Sequence, residues 1–370
     1  MQGTHPSSKT FYLFGFPIAH SAAPTLANHC FDAWDATNSP NRYILWSTSK
    51  ITEEMLEVLR SGECGGSAVT MPLKGLILPY LDEVSKESEA TAACNTIVKV
   101  PCPTAPYGFK LVGQNTDSKF YVASPPVSQY PSIKIDTEAS YSEPVKGAGF
   151  VIGGGATTRS AIYALSLLGL KPIFLINRDS SEIHEVQRAF PDLLVQNVLI
   201  HLQNPGAVEK HLVQKDSPRI LMGVGAILTA AIPPQTTEER MVYTTASAIF
   251  TIPYIRPSEV SNGLPPPHQR IFLEMTYKPR NTPMLQVAAA HGWCAMDGIQ
   301  AMIEQGLAQQ RMWYTSTPTI EVGSDPTVLN PAVEKTARMI CENMKDIIVQ
   351  STEKDRAEGK KWAPISHAKL

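Results

Sequence analysis

GFVIGGGATTRSAIYAL, residues 149–165, runs an apolar stretch into three consecutive glycines and straight on into a segment of helical apolar periodicity. Strand, glycine turn, helix is the order in which a G-x-G-x-x-G fingerprint holds a dinucleotide. The glycines let the backbone approach a pyrophosphate, and the unpaired N–H groups of the helix start carry partial positive charge. Gly153, Gly154 and Gly155 supply the turn, while Thr158 stands at the third fingerprint position. Taken alone, such a turn also serves as a tight strand–helix connection without a ligand. The next apolar run, FLINRD (174–179), ends on Asn177, Arg178 and Asp179, where folds of this kind read the adenosine ribose. Arg178 can stack on adenine or pair with a 2′-phosphate, whereas Asp179 can bond a free 2′-hydroxyl and would repel that phosphate. An exposed charged pair at a strand end is the plainer reading of the same residues.

Outward from this unit the chain alternates. Upstream, FYLFGF, RYILWS, GSAVTM and NTIVKV read as strands, with PTLANHCFDAW, TEEMLEVLRSG and LKGLILPYLDEV as helices between them. Strands separated by helices predict an α/β fold with parallel pairing and crossover helices. Downstream, PIFLINRD, RILMGVGAI and IFLEMTY continue as strands, followed by the helix PMLQVAAAHG and two terminal helices, GIQAMIEQGLAQQRMW and PAVEKTARMICENMKDIIVQ. At 370 residues the chain exceeds the usual single core, which predicts two domains. The divisions fall at 11–122 for the first alternating set, 123–146 for a Pro/Ser-rich linker or insertion, 147–297 for a doubly wound, Rossmann-type nucleotide domain, and 353–370 for a flexible tail. A long stretch near 233–269 reads as irregular, beyond what a minimal nucleotide domain needs.

Charge is nearly balanced at −2, and no Lys/Arg run is dense enough to track phosphates, which argues against nucleic acid. The six cysteines are scattered without a CxxC pair, so neither a disulfide framework nor a bound metal is expected. No apolar run reaches the ~18 residues of a membrane span, and MQGTHPSSKT lacks the pattern of a secretory leader. A cytoplasmic protein is expected, with peroxisomal import as the alternative because the final AKL differs by one small residue from SKL.

Several polar residues sit at strand–loop junctions of the first set. Thr70 ends a strand in SAVTMPLKG, and Lys74 follows a proline, so that its amine is expected to project from a loop. A lysine partly buried among polar groups can trade protons near neutral pH, although most lysines are solvated and inert. Asn95 and Thr96 open a strand in TAACNTIVKV, and Asp117 closes a polar turn in GQNTDSKF. Singly, Asn and Asp in turns bond their own backbone. Together, a Lys, an Asn and an Asp at such junctions can converge at the carboxyl edge of one sheet.

At this point the chain resembles the shikimate/quinate dehydrogenase family. The resemblance runs through GFPIAHSAAP, VTMPLK, AACNT, GQNTD, GGGATTR, NRD, TYKPRNTPML and GIQAMIEQ, in that order over residues 11–315. It implies an N-terminal α/β substrate domain completed by C-terminal helices over 298–352, a Rossmann-type domain between them, and a deep cleft where the two meet. It implies that Ser21 holds the carboxylate of a small hydroaromatic acid, quinate, shikimate or its 3-dehydro form. Thr70 and Asn95 would bond ring hydroxyls, Lys74 and Asp117 would flank the hydroxyl being oxidised, and Tyr277 and Gln305 would complete the pocket. On residues alone, Tyr277 is equally a packed strand aromatic and Gln305 a solvated helix residue. NAD or NADP would lie on Gly153, Gly154, Gly155, Ala156, Thr157, Asn177, Arg178, Asp179 and Gly298. Hydride transfer from a secondary alcohol needs a base for the hydroxyl proton and an acid in reverse; Lys74 can be both. The protein would act as a monomer or homodimer.

The chain departs from the family pattern at informative places. The second serine of the H-S-x-S-P turn is Ala23, the residue before Val-Thr is Ala68, SKF with Phe120 replaces a glycine-rich continuation, and GVG replaces N-A-T near residue 223. In NRDSSE, Asp179 and Glu182 stand where the NADP pattern has a neutral and a basic residue, which favours NAD. These changes keep open a second reading, a sensor or regulatory protein that binds the acid without turnover.

Overall fold

The computed structural model describes residues 8–34, 41–117, 147–214, 216–227, 234–253, 270–344 and 358–362. The chain divides into two compact units. One is built from the described residues of Met1–Thr116, Met302–Lys345 and Val349–Leu370, the other from those of Asp117–Ala301. The linker expected at 123–146, Phe120, the flanks of the expected irregular stretch at 228–233 and 254–269, the helix end beyond 344 and the final AKL lie outside the described residues.

The first unit begins β1 (Thr10–Gly15), α1 (Ala23–Trp34), β2 (Arg42–Ser47), α2 (Glu53–Arg60), β3 (Cys64–Val69) and α3 (Leu73–Leu76). It continues β4 (Glu83–Val84), α4 (Lys86–Thr91), β5 (Thr96–Pro101) and β6 (Phe109–Gln114). Helix α2 shows why such segments form. Thr52 caps it by accepting from Met55 N, Glu53 and Glu54 lie in its first turn and Arg60 in its last, and Met55, Leu56 and Leu59 face the core.

Strands β2, β1 and β3 pair in parallel as expected. Strand β5, however, runs antiparallel to both β3 and β6, which corrects the all-parallel expectation. Between β5 and β6 the reason is the short connection 102–108, closed by Cys102 N donating to Gly108 O at 2.9 Å with Gly108 at φ +76°. A link that short can join only antiparallel neighbours. The segment 73–84, expected as one helix, is a single turn (α3), a 3₁₀ turn at Leu78–Tyr80 and the short strand β4. Pro79 lacks an N–H, and its ring would clash with the carbonyl four residues back, at Gly75. Lys74 therefore sits on a one-turn helix rather than in a loop.

The second unit contains β7 (Ala148–Ile152), α5 (Ala156–Leu167), β8 (Ile173–Ile176), α6 (Ser180–Arg188), α7 (Pro191–Val195), β9 (Leu199–His201) and α8 (Pro205–Leu212). Then come β10 (Ile220–Gly225), α9 (Thr237–Phe250), β11 (Ile271–Glu274), α10 (Pro283–Ala290) and β12 (Cys294–Met296). Its six strands are all parallel, in the order β12-β11-β10-β7-β8-β9. This is the doubly wound Rossmann order, with the winding direction reversing between β7 and β10. Every residue of β7, β8, β10 and β11 is buried, as helices on both faces require. One face packs Val151, Leu165 and Leu175; the other packs Phe150 against Phe250, Phe272 and Trp293.

Helix α9 corrects the reading of 233–269 as irregular. Thr236 and Glu239 form a reciprocal capping box, and Val242, Thr245, Ala246, Ile249 and Phe250 recur at helical spacing on its buried face. The chain then returns through α11 (Gly298–Thr315), α12 (Ile320–Ser324) and α13 (Pro331–Glu342), and β13 (Lys361–Trp362) pairs antiparallel with β2. Part of the segment expected as a flexible tail is thus a sheet edge. There Lys361 Nζ lies 3.7 Å over the Trp46 ring and 3.0 Å from Glu54 Oε1.

Candidate functional site

In the first unit a buried polar cluster gathers around Asn95, which is 1% exposed at the head of β5. Its Oδ1 accepts from Thr96 Oγ1 at 2.7 Å and from Thr116 N at 2.8 Å, and its Nδ2 donates to Thr116 Oγ1 at 3.0 Å and to Gln305 Oε1 at 3.0 Å. Gln309, one helical turn after Gln305, donates to Thr96 Oγ1 at 3.0 Å and to Asn95 O at 3.3 Å. Three stretches far apart in sequence, 95–96, 116 and 305–309, thereby share one network. Burying amides is tolerable only with such partners. Of GQNTD, Gln114 and Asn115 are structural: Gln114 Oε1 accepts from Ser85 Oγ and Asn115 N, and Asn115 Nδ2 reaches Thr91 Oγ1 at 2.8 Å. Asp117 follows Thr116 directly and is 3% exposed.

Backbone bonds tie the other candidates of this unit to the same edge. Cys94 N donates to Lys74 O at 2.8 Å, so α3 hangs on the residue before Asn95. Thr70 N donates to Phe14 O at 2.8 Å, and Phe16 N to Met71 O at 2.9 Å, which joins the GFPIAHS turn to the segment carrying Thr70 and Lys74. Gly15 makes this approach possible: it sits at φ +157°, and a Cβ there would lie 2.3 Å from Thr70 Cγ2. Ser21 Oγ accepts from Ala23 N at 3.2 Å at the start of α1. Ser21, Thr70 and Lys74 are all partly exposed, as a ligand-facing rim requires.

In the second unit the glycine turn lies at the carboxyl end of β7, beside the reversal point. Gly153, at φ +137°, leaves no room for a Cβ, which would stand 2.7 Å from Ala226 O and 2.8 Å from Thr158 Oγ1. A Cβ on Gly154 would meet Asn177 Nδ2 at 2.6 Å and Glu182 Oε2 at 2.3 Å, whereas one on Gly155 would meet open space. Gly155 is the N-cap of α5, without a side-chain cap and without an acidic residue in the first turn that begins Ala156 and Thr157. That end presents N–H groups and an uncompensated partial positive charge, a cradle for a pyrophosphate.

At the end of β8 the charged residues have specific partners. Asp179 caps α6, accepting from Ser181 N and Ser181 Oγ at 2.7 Å each, and these bonds hold its carboxyl below the usual range. Asn177 Nδ2 donates to Glu182 Oε2 at 2.7 Å. Arg178 is paired with Glu239 Oε1 at 2.7 Å. Sequence reading passed over Glu239, although the T-x-x-E signature of a helix start was there at 236–239.

Tyr277 lies partly buried just beyond β11, and Gly298 packs on the same segment: a Cβ there would stand 2.2 Å from Met275 O. Close backbone packing alone accounts for glycine at 298. The GVG departure has a similar cause. A Cβ at Gly223 would enter the Phe150 ring at 2.1 Å, and one at Gly225 would lie 2.8 Å from the carboxylate of Glu274. Glu274 is wholly buried, and burial pushes its carboxyl up to about 7. Tyr243 on α9 is pushed up to about 12 by burial and by Glu274.

The comparisons with known proteins fit this geometry. Residues 13–97 match the family model of the shikimate dehydrogenase substrate binding domain. Over 308 residues, 83% of the chain, it is 32% identical to the pentafunctional AROM polypeptide of Schizosaccharomyces japonicus, of whose length it spans only 17%. Among solved structures, the dehydroquinate dehydratase and shikimate dehydrogenase portion of S. pombe AroM is 26% identical at a TM-score of 0.60, covering 89% of this chain and 53% of that one. Shikimate 5-dehydrogenase from Thermus thermophilus, in complex with NADP(H) and shikimate, is 21% identical at a TM-score of 0.60, covering 90% and 99%. Quinate dehydrogenase from Corynebacterium glutamicum, in complex with NAD, is 18% identical at 0.58, covering 86% and 98%. The last two share the fold. The chain thus matches the shikimate dehydrogenase substrate binding domain over residues 13–97 and resembles, along 83% of its own length, a stretch of the pentafunctional AROM polypeptide.

Proposed function

We propose that the chain is an NAD(P)-dependent dehydrogenase that reversibly oxidises the C3 hydroxyl of quinate or shikimate. The observation that carries this reading is the shared Asn95–Thr116–Gln305 cluster. A ring hydroxyl both donates and accepts, so it can enter such a network of amides and hydroxyls without leaving any buried group unpaired. Ser21, on the turn anchored beside Thr70, would hold the acid's carboxylate, and Thr70 and Tyr277 would bond further ring oxygens.

Lys74 is the proposed proton acceptor for the reacting hydroxyl and the donor in reverse. Asp117 would orient that hydroxyl. The backbone bond from Cys94 N to Lys74 O, and the anchoring of Thr116 N on Asn95, hold the chain at both positions. Proton transfer of this kind is worth about 10²–10⁴ in rate. Gly153, Gly154 and Gly155, with the open start of α5, fit the pyrophosphate of a nicotinamide dinucleotide, and Asn177, Arg178 and Asp179 stand where its adenosine ribose is read. The nicotinamide supplies the hydride acceptor. Of the two dinucleotides, NAD is the proposed one.

Absorbance of the reduced nicotinamide, with purified protein, two acids and two cofactors, tests the reading. Turnover with quinate or shikimate is expected, falling about 10²–10⁴-fold in Lys74→Ala while cofactor affinity stays within a few-fold. Saturable binding of the acid with no turnover in any of the four pairings would instead select the sensor reading.

A further inference from the structure

The ribose-reading end of the nucleotide unit contains a carboxylate that neither the glycine fingerprint nor the NRD motif accounts for. Glu239, at the start of α9, reaches back across the end of β8 and pairs with Arg178, 61 positions earlier in the chain. The two residues rim a pocket whose apolar wall includes Ile227, Val242 and Tyr243. Glu239 is held from both sides: Oε1 meets Arg178 at 2.7 Å, and Oε2 accepts from Gln235 N at 2.8 Å and Thr236 N at 3.3 Å as half of the capping box. Those backbone bonds, with Arg178 beside them, hold its carboxyl below the usual range. Its side chain is 17% exposed, against 53% for Arg178. The carboxylate is therefore the fixed member of the pair and the guanidinium the more solvent-facing one.

Resting on the dinucleotide reading of this unit, we propose that Glu239 sets the choice between the two dinucleotides by occupying Arg178 and so excluding a 2′-phosphate from the adenosine ribose. A phosphate monoester carries about −1.5 to −2 charges at neutral pH and needs an unshared cation. Here the guanidinium of Arg178 is already paired with Glu239, and Asp179 and Glu182 add negative charge at the same strand end. Phosphate could take Arg178 only by breaking an ion pair pre-organised by a helix cap. A 2′-hydroxyl meets no such obstacle, because it donates to a carboxylate. Helix α9 thereby acquires a purpose: it delivers a selectivity residue to the end of β8.

The test measures binding by calorimetry on the full chain, with ADP-ribose and 2′-phospho-ADP-ribose as probes. Wild type is expected to bind ADP-ribose at least tenfold more tightly than its 2′-phosphate. Glu239→Gln keeps the capping box, since glutamine serves at that position, and removes the charge. It is expected to shift the ratio of the two affinities at least tenfold toward the phosphorylated probe, with ADP-ribose affinity changed by no more than a few-fold. Adding Arg178→Gln should abolish the gain, because the released guanidinium is its source. An unshifted ratio in Glu239→Gln, or a gain that survives the double substitution, would overturn the role of Glu239 while ADP-ribose still binds. Failure of wild type to bind either probe would instead overturn the dinucleotide reading beneath it.

Discussion

Asn95 and Gln305, 210 positions apart, meet in a 3.0 Å hydrogen bond, with the Asn95 amide donating to the Gln305 carbonyl oxygen. The contact joins the head of β5 to helix α11 and is the point where the returning helices become part of the candidate site. Gln305 is only partly buried, unlike Asn95, so its truncation should affect ligand binding more than folding. Gln305→Ala is expected to raise KM for the hydroaromatic acid about tenfold, the effect of losing roughly 1.4 kcal/mol, with kcat and cofactor affinity changed much less. Steady-state kinetics and direct cofactor titration check this together. An unchanged KM would remove Gln305 from the substrate pocket.

Ser21 offers a second handle. Its hydroxyl oxygen accepts from Ala23 N at the start of α1, so a hydroxyl restored at 23 would stand on the same turn. Ala23→Ser is expected to tighten binding of the carboxylate substrate about tenfold or more, in line with roughly 1.5–3 kcal/mol for a hydrogen bond to a charged group. The same substitution should leave the affinity of the corresponding carboxamide nearly unchanged. Equal gains for acid and amide would show that the turn does not read the carboxylate.

How much of this was legible in the chain depends on the range of the interaction. The glycine turn, the apolar strands β7, β8 and β10, and the capped helix α2 declare themselves within a dozen residues, because strand period, turn chemistry and caps are local. Alternation reports which face of a strand is buried and not which strand lies beside it. The antiparallel turn of β5 against β3 was therefore invisible, and β6 went unread. The break after α3 was legible in principle, since Pro79 is enough to stop the helix. In the buried polar cluster, Asn95 and Gln305 were singled out from the sequence, but the parts of Thr116 and Gln309 follow only from contacts spanning 21 and 213 positions. The Arg178–Glu239 pair is of the same kind: charge and a helix start can be read locally, their meeting cannot.

Glu274 predicts a pH effect of definite sign. Its carboxyl is wholly buried against β10 at Gly225, and burial raises it from 4.5 to about 7. The folded state thus keeps a proton that the unfolded chain releases. The associated stability is fully present below about pH 4.5 and is lost as pH rises through about 7. Glu274→Gln mimics the neutral form and should remove this term. Thermal melts at pH 5 and pH 8 are expected to show the variant gaining on wild type at the higher pH, by an amount absent at the lower one. Tyr243, whose hydroxyl is pushed up to about 12, stays neutral throughout that interval and does not contribute. A variant whose offset from wild type is the same at both pH values would refute the buried proton.

The returning helices rest on a buried ion pair whose two halves can be separated experimentally. Arg311 on α11 donates through Nε to Glu334 Oε1 at 2.7 Å and through Nη2 to Oε2 at 2.6 Å, and the side chains are 5% and 7% exposed. The remaining guanidinium nitrogen, Nη1, donates to Gly323 O at 2.8 Å and so fastens α12 as well. Breaking such a pair from one side leaves a desolvated charge. Glu334→Ala is accordingly expected to destabilise the protein by about 3–5 kcal/mol, whereas removing both charges with apolar residues of similar volume is often nearly neutral. Arg311→Met with Glu334→Leu should recover most of that loss, but not all of it, because the Gly323 carbonyl then loses its donor, a deficit of about 1–3 kcal/mol. Urea unfolding of the single and double variants measures both quantities. A double variant no more stable than Glu334→Ala would mean that the paired charges stabilise the fold in their own right and are more than mutual compensation for burial.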